Sequence, residues 1–282
     1  VVWRGPMVHK LIEQFLGDPA LSRGTWGIVI RSVDRDETLY ERNAQKLVTP
    51  ASALKIVTLS VGADQLGWDY RYQTRLLTVG DVADGVLQGH LLVVGSGDPT
   101  LEDWDGSASA LFGAWADLLK AKGIRQISGS VVGDDHVFDD DGIGNGWAWD
   151  DLGYGYATSV GALQFNENTA QLLITPAATA GLSPTVEIRP VAAQLTIVNR
   201  ATTEQFNPEF LPAPPDLLSV WPVPRSAALE LRGRAPLGSG TIVRNVSVPN
   251  PTLYFVSALR EALIRNGIDV QGPAIDDDET DV

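Results

Sequence analysis

Cysteine is absent from this chain of 282 residues, and histidine is scarce. The lack of cysteine excludes disulfide bonds, thiolate metal sites and cysteine nucleophiles. The three histidines show no metal-ligand spacing to one another. A Ser-His-Asp hydrolase would need one of them beside its serine. We interpret all three as surface or packing residues, namely His9, His90 and His136.

Long apolar runs and excess positive charge are missing as well. No run approaches the length that spans a bilayer. The 35 acidic residues outnumber the 21 basic ones and give a formal net charge of −14, which disfavours nucleic acid and anionic lipid as partners. The composition is that of a globular protein, and the length predicts two or three folded units. The opening Val1-Val2 is typical of a processed or trimmed start.

The hydrophobic pattern predicts a helix, a hairpin and a second helix, followed by a long β-rich region. Helical spacing covers residues 6–16, and a helix that begins near Ser52 should stop at Gly67. Later helices are predicted over 107–122, with Ser107 as the cap, and over 250–266. β-Branched and alternating stretches predict strands at 25–33, 38–41, 70–79, 86–94, 126–132, 163–174, 185–191, 195–199, 227–231 and 241–246.

Two further segments have a biased composition. Residues 207–225 contain six prolines and are predicted to form a connector or rigid loop. The acidic run 276–281 is predicted to be a solvated tail rather than a packed element. The sequence shows no internal repeat.

The stretch Thr49-Pro50-Ala51-Ser52-Ala53-Leu54-Lys55 places a serine three residues before a lysine. On a helix these two side chains share a face, so the lysine could take the proton of the serine hydroxyl. A lysine can act in this way where burial or nearby positive charge favours its neutral form. The helix start would offer backbone N–H groups to a developing oxyanion. The pair also has a plain interpretation, as a capping serine and a surface lysine.

Three other stretches accompany this pair in order: "GHLLVVGSGDPTL" at 89–101, the loop 134–149 with "GWAWDD" at its end, and "NPTLYFVSALREALIRNG" at 250–267. Together the four stretches resemble the class C low-molecular-mass penicillin-binding proteins, the D-alanyl-D-alanine carboxypeptidase/endopeptidases of peptidase family S13. Ser-x-x-Lys is the first signature of penicillin-binding proteins in general. "GSGDPTL" beside it is far more specific than either motif alone.

The resemblance implies an α+β multidomain fold. Residues 1–66 would form the N-terminal part of a β-lactamase/transpeptidase-like domain that carries the Ser-x-x-Lys helix. Two nested β-rich inserted domains would follow, the first over 67–162 and the second over 163–248. Residues 249–282 would return to the first inserted domain and end in the acidic tail.

The resemblance also implies a function, a serine-type D-Ala-D-Ala carboxypeptidase/endopeptidase that acts on peptidoglycan stem peptides through an acyl-enzyme. Ser52 would be the nucleophile and Lys55 the general base. Neither a metal nor an organic cofactor is implied. β-Lactams would be inhibitors, and the substrate implies an extracytoplasmic location.

Two family motifs are missing from these residues. No serine has an asparagine two positions later, and no lysine is followed by Thr-Gly or Ser-Gly. The nearest imitation, Ser96-Gly97-Asp98, belongs to the "GSGDPTL" loop. In the family both motifs follow the inserts, so we expect a fragment that is inactive alone. The alternatives are a non-catalytic peptidoglycan-binding or scaffold homologue, and a β-lactamase, which the long inserts and "GSGDPTL" disfavour.

Five aspartates crowd the loop after the strand at 126–132: Asp134, Asp135, Asp139, Asp140 and Asp141. A solvated acidic loop is one interpretation. The resemblance implies another, in which an acidic residue of this region faces the cationic amino end of the substrate, with Asp141 as the nearest match. A metal held by oxygen ligands is a third, although the spacing is not that of a known calcium loop. Five tryptophans suggest sugar stacking or, as we expect, packing: Trp104, Trp115, Trp147, Trp149 and Trp221.

Overall fold

The computed structural model of the chain describes residues 5–206, 217–224, 226 and 228–279, which we call the described residues. Contacts divide the chain into two units, Val1–Tyr70 and Arg71–Val282. No helix among the described residues is long and apolar enough to cross a membrane. The mixed helix and strand content agrees with the α+β class, whereas the boundaries of the nested inserts stay predictions.

The first unit contains a hairpin flanked in sequence by two helices. Tyr40 lies buried on the second strand, and its hydroxyl donates a 2.5 Å hydrogen bond to Glu13 of the first helix. Arg42 forms an ion pair with the same carboxylate at 3.2 Å. The elements are α1 Gly5–Leu16, β1 Ile28–Ser32, β2 Glu37–Arg42 and α2 Leu54–Leu66, with β1 and β2 antiparallel.

A six-stranded mixed sheet forms one end of the second unit. Its strands are β3 Arg75–Ala83, β4 Val86–Val94, β5 Gln126–Ile127, β6 Val131–Asp134, β14 Asp269–Val270 and β15 Ala274–Asp276. They lie in the order β14-β5-β4-β6-β15, all parallel, while β3 pairs with β4 as an antiparallel hairpin. Asp84 and Gly85 close that hairpin with positive φ at both positions, which suits the twist of the strands.

Two helices carry the aromatic core of this unit. They are α3 Ser107–Ala121 and α4 Pro251–Arg265. Phe112 of α3 meets Phe255 of α4 edge-on, with ring centroids 5.5 Å apart, and both side chains are buried. The edge-on geometry is one that aromatic pairs favour.

Two smaller sheets complete the second unit. One is antiparallel in the order β13-β7-β8, with β7 Thr169–Thr175, β8 Thr185–Arg189 and β13 Ile242–Ser247. The other is centred on β12 Ala228–Pro236, which pairs with β9 Thr196–Asn199, β10 Thr202–Glu204 and β11 Leu217–Pro222. Buried side chains from all three sheets belong to one contiguous hydrophobic cluster.

The prediction of a connector or rigid loop over 207–225 is wrong for the second half of this segment. Leu217–Pro222 is strand β11, paired antiparallel with β12. Leu218 and Val220 point into the core, with 7% and 1% of their surface exposed. The high proline content of the segment predicted a loop in spite of this alternation. Pro222, however, is the last residue of the strand, where a missing backbone N–H is tolerated. Residues 207–216 and 225, with most of these prolines, lie outside the described residues.

Two predicted strands have different limits because the backbone turns within them. The strand over 163–174 begins only at Thr169, since Asn166–Asn168 all have φ between 52° and 55°, outside the β region. The strand over 126–132 divides into β5 and β6 at Ser128–Ser130. Here Gly129 donates its N–H to Gly89, and an added Cβ would lie 2.5 Å from the Gly89 oxygen.

The predicted cap of α3 and the predicted solvated state of the acidic run 276–281 are also wrong. Gly106, with φ of 82°, occupies the cap position of α3, while Ser107 is the first helical residue and its hydroxyl bonds to the Glu102 carbonyl. The acidic run does not begin as a solvated tail, because Asp276 ends strand β15 with only 6% of its surface exposed. Residues 280–282 lie outside the described residues.

Candidate active site

Ser52 and Lys55 lie on one continuous helical run. Ser52 occupies a 3-10 turn, Ala51–Ala53, and Lys55 is the second residue of α2. The N–H of Leu54 bonds to the carbonyls of both Ala51 and Ser52, so the turn leads directly into the helix. The predicted helix and its stop are confirmed, since Gly67 follows α2 with φ of 81°. Both side chains of the pair are exposed.

Helix α2 is apolar, yet none of its residues is buried by the described residues. Ile56 and Leu59 expose 70% and 73% of their surface, and Leu54, Val57 and Val61 each expose more than half. A helix that is hydrophobic on several faces is normally enclosed by other elements. Among the described residues of the first unit, the surroundings of Ser52 therefore do not form a complete acyl-transfer pocket.

The "GSGDPTL" loop is held by backbone hydrogen bonds. Gly95 donates to the Asp134 carbonyl at 2.9 Å, and Gly97 donates to the Ala162 carbonyl at 2.8 Å. An added Cβ on Gly95 would lie 2.3 Å from the Ala162 oxygen, so only glycine fits this approach. Asp98 shapes the turn as expected, because its carboxylate accepts from the N–H and hydroxyl of Thr100.

Ser96, the nearest imitation of a Ser-x-Asn serine, has a structural task in this loop. Its hydroxyl accepts a 2.8 Å hydrogen bond from the backbone N–H of Gln73. The bond ties the "GSGDPTL" loop to the segment that precedes β3. This contact supports the assignment of Ser96 to the loop rather than to a catalytic motif.

A cavity of about 350 Å³, which we call the acidic cavity, lies at the ends of β6 and β15. It is lined by five aspartates together with residues around the start of α4: Asp135, Asp139, Asp140, Asp276, Asp278, Asn250 and Thr252. Asp141 is exposed in the adjoining loop and is not among the lining residues. Burial is the main cause that raises the pKa of Asp276. The pKa of Asp278, which is exposed, is raised by partial desolvation and then by the nearby carboxylates of Asp140 and Asp135.

Sequence reasoning missed Asp276 and Asp278 as members of this site. The acidic composition places both in the predicted solvated tail, although the apolar pair Ala274-Ile275 directly before them is a strand signal. The pairing of β15 with β6 brings them beside Asp135. Such a long-range parallel pairing leaves no local mark in the sequence.

A second, smaller cavity of about 290 Å³ is lined by Trp147, Asp151 and Tyr156. The Tyr156 hydroxyl donates a 2.6 Å hydrogen bond to Asp151, which raises the pKa of Tyr156 to about 12. Tyr154 stacks on Tyr156 with ring centroids 5.6 Å apart. A carboxylate beside aromatic rings is a combination that can bind an alkylammonium group.

A family model described as the D-Ala-D-Ala carboxypeptidase 3 (S13) family matches residues 8–279. A D-alanyl-D-alanine carboxypeptidase of Actinomadura sp. (strain R39) is 28% identical over 275 residues, which cover 93% of this chain and 47% of the relative. The D-alanyl-D-alanine carboxypeptidase DacB of Haemophilus influenzae is 30% identical over 126 residues, 45% of this chain and 25% of the relative.

Two solved structures share the fold. The crystal structure of penicillin binding protein 4 from Haemophilus influenzae matches with a TM-score of 0.74 at 22% identity, covering 89% of this chain and 52% of that one. The same protein complexed with a novel β-lactam matches with a TM-score of 0.66 at 20% identity, covering 89% and 51%. The chain thus spans about half the length of these structures and of the Actinomadura relative.

Proposed function

Because the chain belongs to the D-Ala-D-Ala carboxypeptidase 3 (S13) family, we propose that it forms part of a serine-type D-Ala-D-Ala carboxypeptidase/endopeptidase. The substrate class is the peptidoglycan stem peptide, and β-lactams are inhibitors. The observation that carries the proposal is the family match over residues 8–279, which includes Ser52 and Lys55 on one helical run. A substrate in the cell wall gives the enzyme an extracytoplasmic location.

Ser52 and Lys55 divide the chemistry of the first step. The Ser52 hydroxyl attacks the carbonyl carbon of the penultimate D-Ala while the neutral amine of Lys55 takes its proton. The peptide C–N bond then breaks, the proton passes to the departing amine of D-Ala, and an ester remains on Ser52. Water attacks this ester, takes the acyl group and returns a proton to the Ser52 oxygen. Backbone N–H groups at the helix start stabilise the oxyanion in both steps.

The proposal assigns the rest of the pocket to sequence outside these 282 residues. The exposed apolar faces of α2 support this assignment. So does the absence of Ser-x-Asn and Lys-Thr-Gly from the sequence of this chain. Enclosure by further residues would also favour the neutral form of a lysine, which a general base requires. The 282-residue chain alone should therefore acylate slowly or not at all.

Fluorescent penicillin labelling tests both parts of the proposal. A longer form of the protein that extends past residue 282 should be labelled stoichiometrically, and its Ser52→Ala variant should not. Ser60→Ala serves as the matched control, since Ser60 lies on the same helix and its hydroxyl donates to the Ile56 carbonyl. Undiminished labelling of the Ser52→Ala variant would contradict the role of Ser52. Rapid stoichiometric labelling of the 282-residue chain would contradict its dependence on further sequence.

For substrate recognition we weigh two acidic residues against each other. Asp141 is the sequence-based candidate for binding the cationic amine of the stem peptide, and it lies exposed in its loop. Asp151 lines a cavity with Trp147 and Tyr156 and is the better-placed carboxylate. Asp151→Asn in the longer protein should raise KM for stem peptides that carry a free amine, by about tenfold. If Asp141→Asn raises KM in this way and Asp151→Asn does not, Asp141 rather than Asp151 binds the amine.

A non-catalytic homologue remains the second candidate, favoured by the absence of the two downstream motifs from these residues. It would bind peptidoglycan without forming a covalent adduct. Reading the gene past codon 282 separates the candidates directly. A Ser-x-Asn followed by a Lys-Thr-Gly supports the enzyme, whereas their absence from the full reading frame supports the scaffold.

A further inference from the structure

Strand pairing brings three aspartates to one end of the acidic cavity. Asp135 directly follows β6, Asp276 ends β15, and Asp278 lies in the short turn after it. Because β15 runs parallel to β6 with Asp276 opposite Gly133, both strands end at the same edge of the sheet. One carboxylate oxygen from each aspartate lies within 4.8 Å of the other two.

The carboxylate of Asp276 is incompletely satisfied. Its Oδ2 accepts a 2.7 Å hydrogen bond from the Asn250 side chain. Its Oδ1 is buried and has no hydrogen-bond partner among the described residues. Burying a carboxylate oxygen without a hydrogen-bond partner to replace water destabilises the folded state.

The two neighbouring carboxylates are partly fixed in position. Thr252 donates a 2.5 Å hydrogen bond to Oδ2 of Asp135, which leaves the other oxygen available. Asp278 is exposed and lies 3.4 Å from the imidazole of His136. No lysine or arginine is found among the described residues that line the cavity. The imidazole of His136 lies within 4.0 Å of three carboxylates, those of Asp134, Asp277 and Asp278. Asp139 and Asp140 add two further carboxylates to the cavity lining.

We propose that Asp135, Asp276 and Asp278 bind one Ca²⁺ ion. The donors are all carboxylate oxygens. Ligands of this kind favour hard divalent cations over soft metals. Three carboxylate oxygens within 4.8 Å of one another are close enough to bind one Ca²⁺, which takes oxygen ligands at about 2.3–2.6 Å in a flexible geometry. Mg²⁺ demands a near-ideal octahedron and usually keeps several waters, so a site of three protein carboxylates suits it less. The ion supplies the missing partner of Asp276 and joins the ends of β6 and β15.

Calorimetry and thermal unfolding of the chelator-treated 282-residue chain test this site. Titration with CaCl2 should give saturable binding with a Kd of about 10⁻⁴–10⁻³ M, the range of weak extracellular calcium modules. The Tm should rise with CaCl2 until the site is full. Asp278→Asn, at an exposed position, should weaken binding by about tenfold or more, and Asp276→Asn should abolish it.

Asp81→Asn is the matched control, because Asp81 is exposed on β3 and the substitution removes the same charge. It should keep the wild-type response to CaCl2. If Asp276→Asn does not fold, the Asp278→Asn variant still decides the question. Equal responses in Asp278→Asn and wild type, or no binding heat and no Tm shift with CaCl2, would overturn the proposal. A tighter response to MgCl2 than to CaCl2 would overturn the choice of calcium.

Discussion

The side chain of Asn250 links the start of helix α4 to the buried carboxylate of Asp276. Its carbonyl oxygen accepts from the N–H of Leu253 as a helix cap, at 2.7 Å. Its amide group donates to Asp276 Oδ2, also at 2.7 Å. One residue thus caps a helix and satisfies half of a carboxylate that belongs to the end of a strand. Both sides of this link lie on the wall of the acidic cavity.

Replacing Asn250 should therefore remove two separate contributions to the free energy of unfolding. Asn250→Ala is expected to lower the free energy of unfolding by about 2–4 kcal/mol, the sum of a lost cap and an unpartnered carboxylate oxygen. Asn250→Ser keeps a capping oxygen, so its smaller loss measures the contact with Asp276 alone. Urea unfolding of the 282-residue chain gives both values. A loss of less than about 0.5 kcal/mol in Asn250→Ala would show that neither bond matters.

The contact between Glu13 and Tyr40 predicts a pH dependence in the first unit. The Tyr40 hydroxyl, followed by Arg42, holds the pKa of Glu13 below its ordinary value of 4.5. A carboxyl with a lowered folded-state pKa stabilises the fold above its unfolded-state pKa. This stabilisation is lost as the pH falls through the folded-state value. Wild-type stability should thus decline on acidification below about pH 4.5 by more than that of Glu13→Gln.

Amide hydrogen exchange of the first unit at neutral and acidic pH, read on peptides from α1 and β2, checks this prediction. Tyr40→Phe removes the first cause of the pKa shift and should show the same reduced dependence. Glu41→Gln is the control, because Glu41 is an exposed acid on the same strand. Identical acid sensitivity of Glu13→Gln and wild type would contradict the role of Glu13.

Gly95 predicts a steric effect at the "GSGDPTL" loop. Gly95→Ala would bring a Cβ within 2.3 Å of the Ala162 carbonyl oxygen, a backbone atom that cannot rotate away. The expected loss in unfolding free energy is about 1–3 kcal/mol. Gly113→Ala is the matched control, since Gly113 lies inside α3 and its nearest neighbour would be 3.6 Å from the new Cβ. That change should stabilise the helix by up to about 1 kcal/mol.

A substitution in β11 tests whether residues 217–222 form a packed strand rather than a connector. Leu218→Ala should lower the free energy of unfolding by about 2–5 kcal/mol, because the side chain is buried against the core cluster. Leu217→Ala, at a half-buried position next to it, should cost clearly less. Thermal unfolding monitored by circular dichroism provides the comparison. Equal small effects of the two substitutions would show that this strand is not packed as described.

Local patterns predicted the helices well, for identifiable reasons. Apolar residues at helical spacing mark α1, and Gly67 ends α2 with the positive φ that favours glycine. For α4, Asn250 and Pro251 form a cap and first-turn signal that the structure contains. The hairpin β3-β4 was found, although β3 begins at Arg75 rather than at residue 70.

The failures came where distant segments decide the conformation. In the run before β7, Leu163 and Phe165 alternate with polar residues as in a strand, but the chain turns at Asn166. The Asn166 side chain there accepts from the Asp103 N–H and donates to the Tyr254 hydroxyl. Likewise, Asp276 has an acidic local sequence and becomes buried only through its pairing with β6. The pair Ser52 and Lys55 is visible as a motif because its members are three residues apart, and its catalytic role stays a prediction. The acidic cavity could not, because its members are separated by more than a hundred residues.

The parallel strands of the six-stranded sheet also set an order for folding. The side chains of Gln126 on β5 and Asp269 on β14 hydrogen-bond across the pair, although they are 143 positions apart. On a ribosome, β4, β5 and β6 emerge long before β14 and β15 can cover their edges. The intervening hairpins of β7, β8 and β13 close over shorter distances and can form first. Until residue 276 is released, the nascent sheet thus presents bare edges that could pair with other chains.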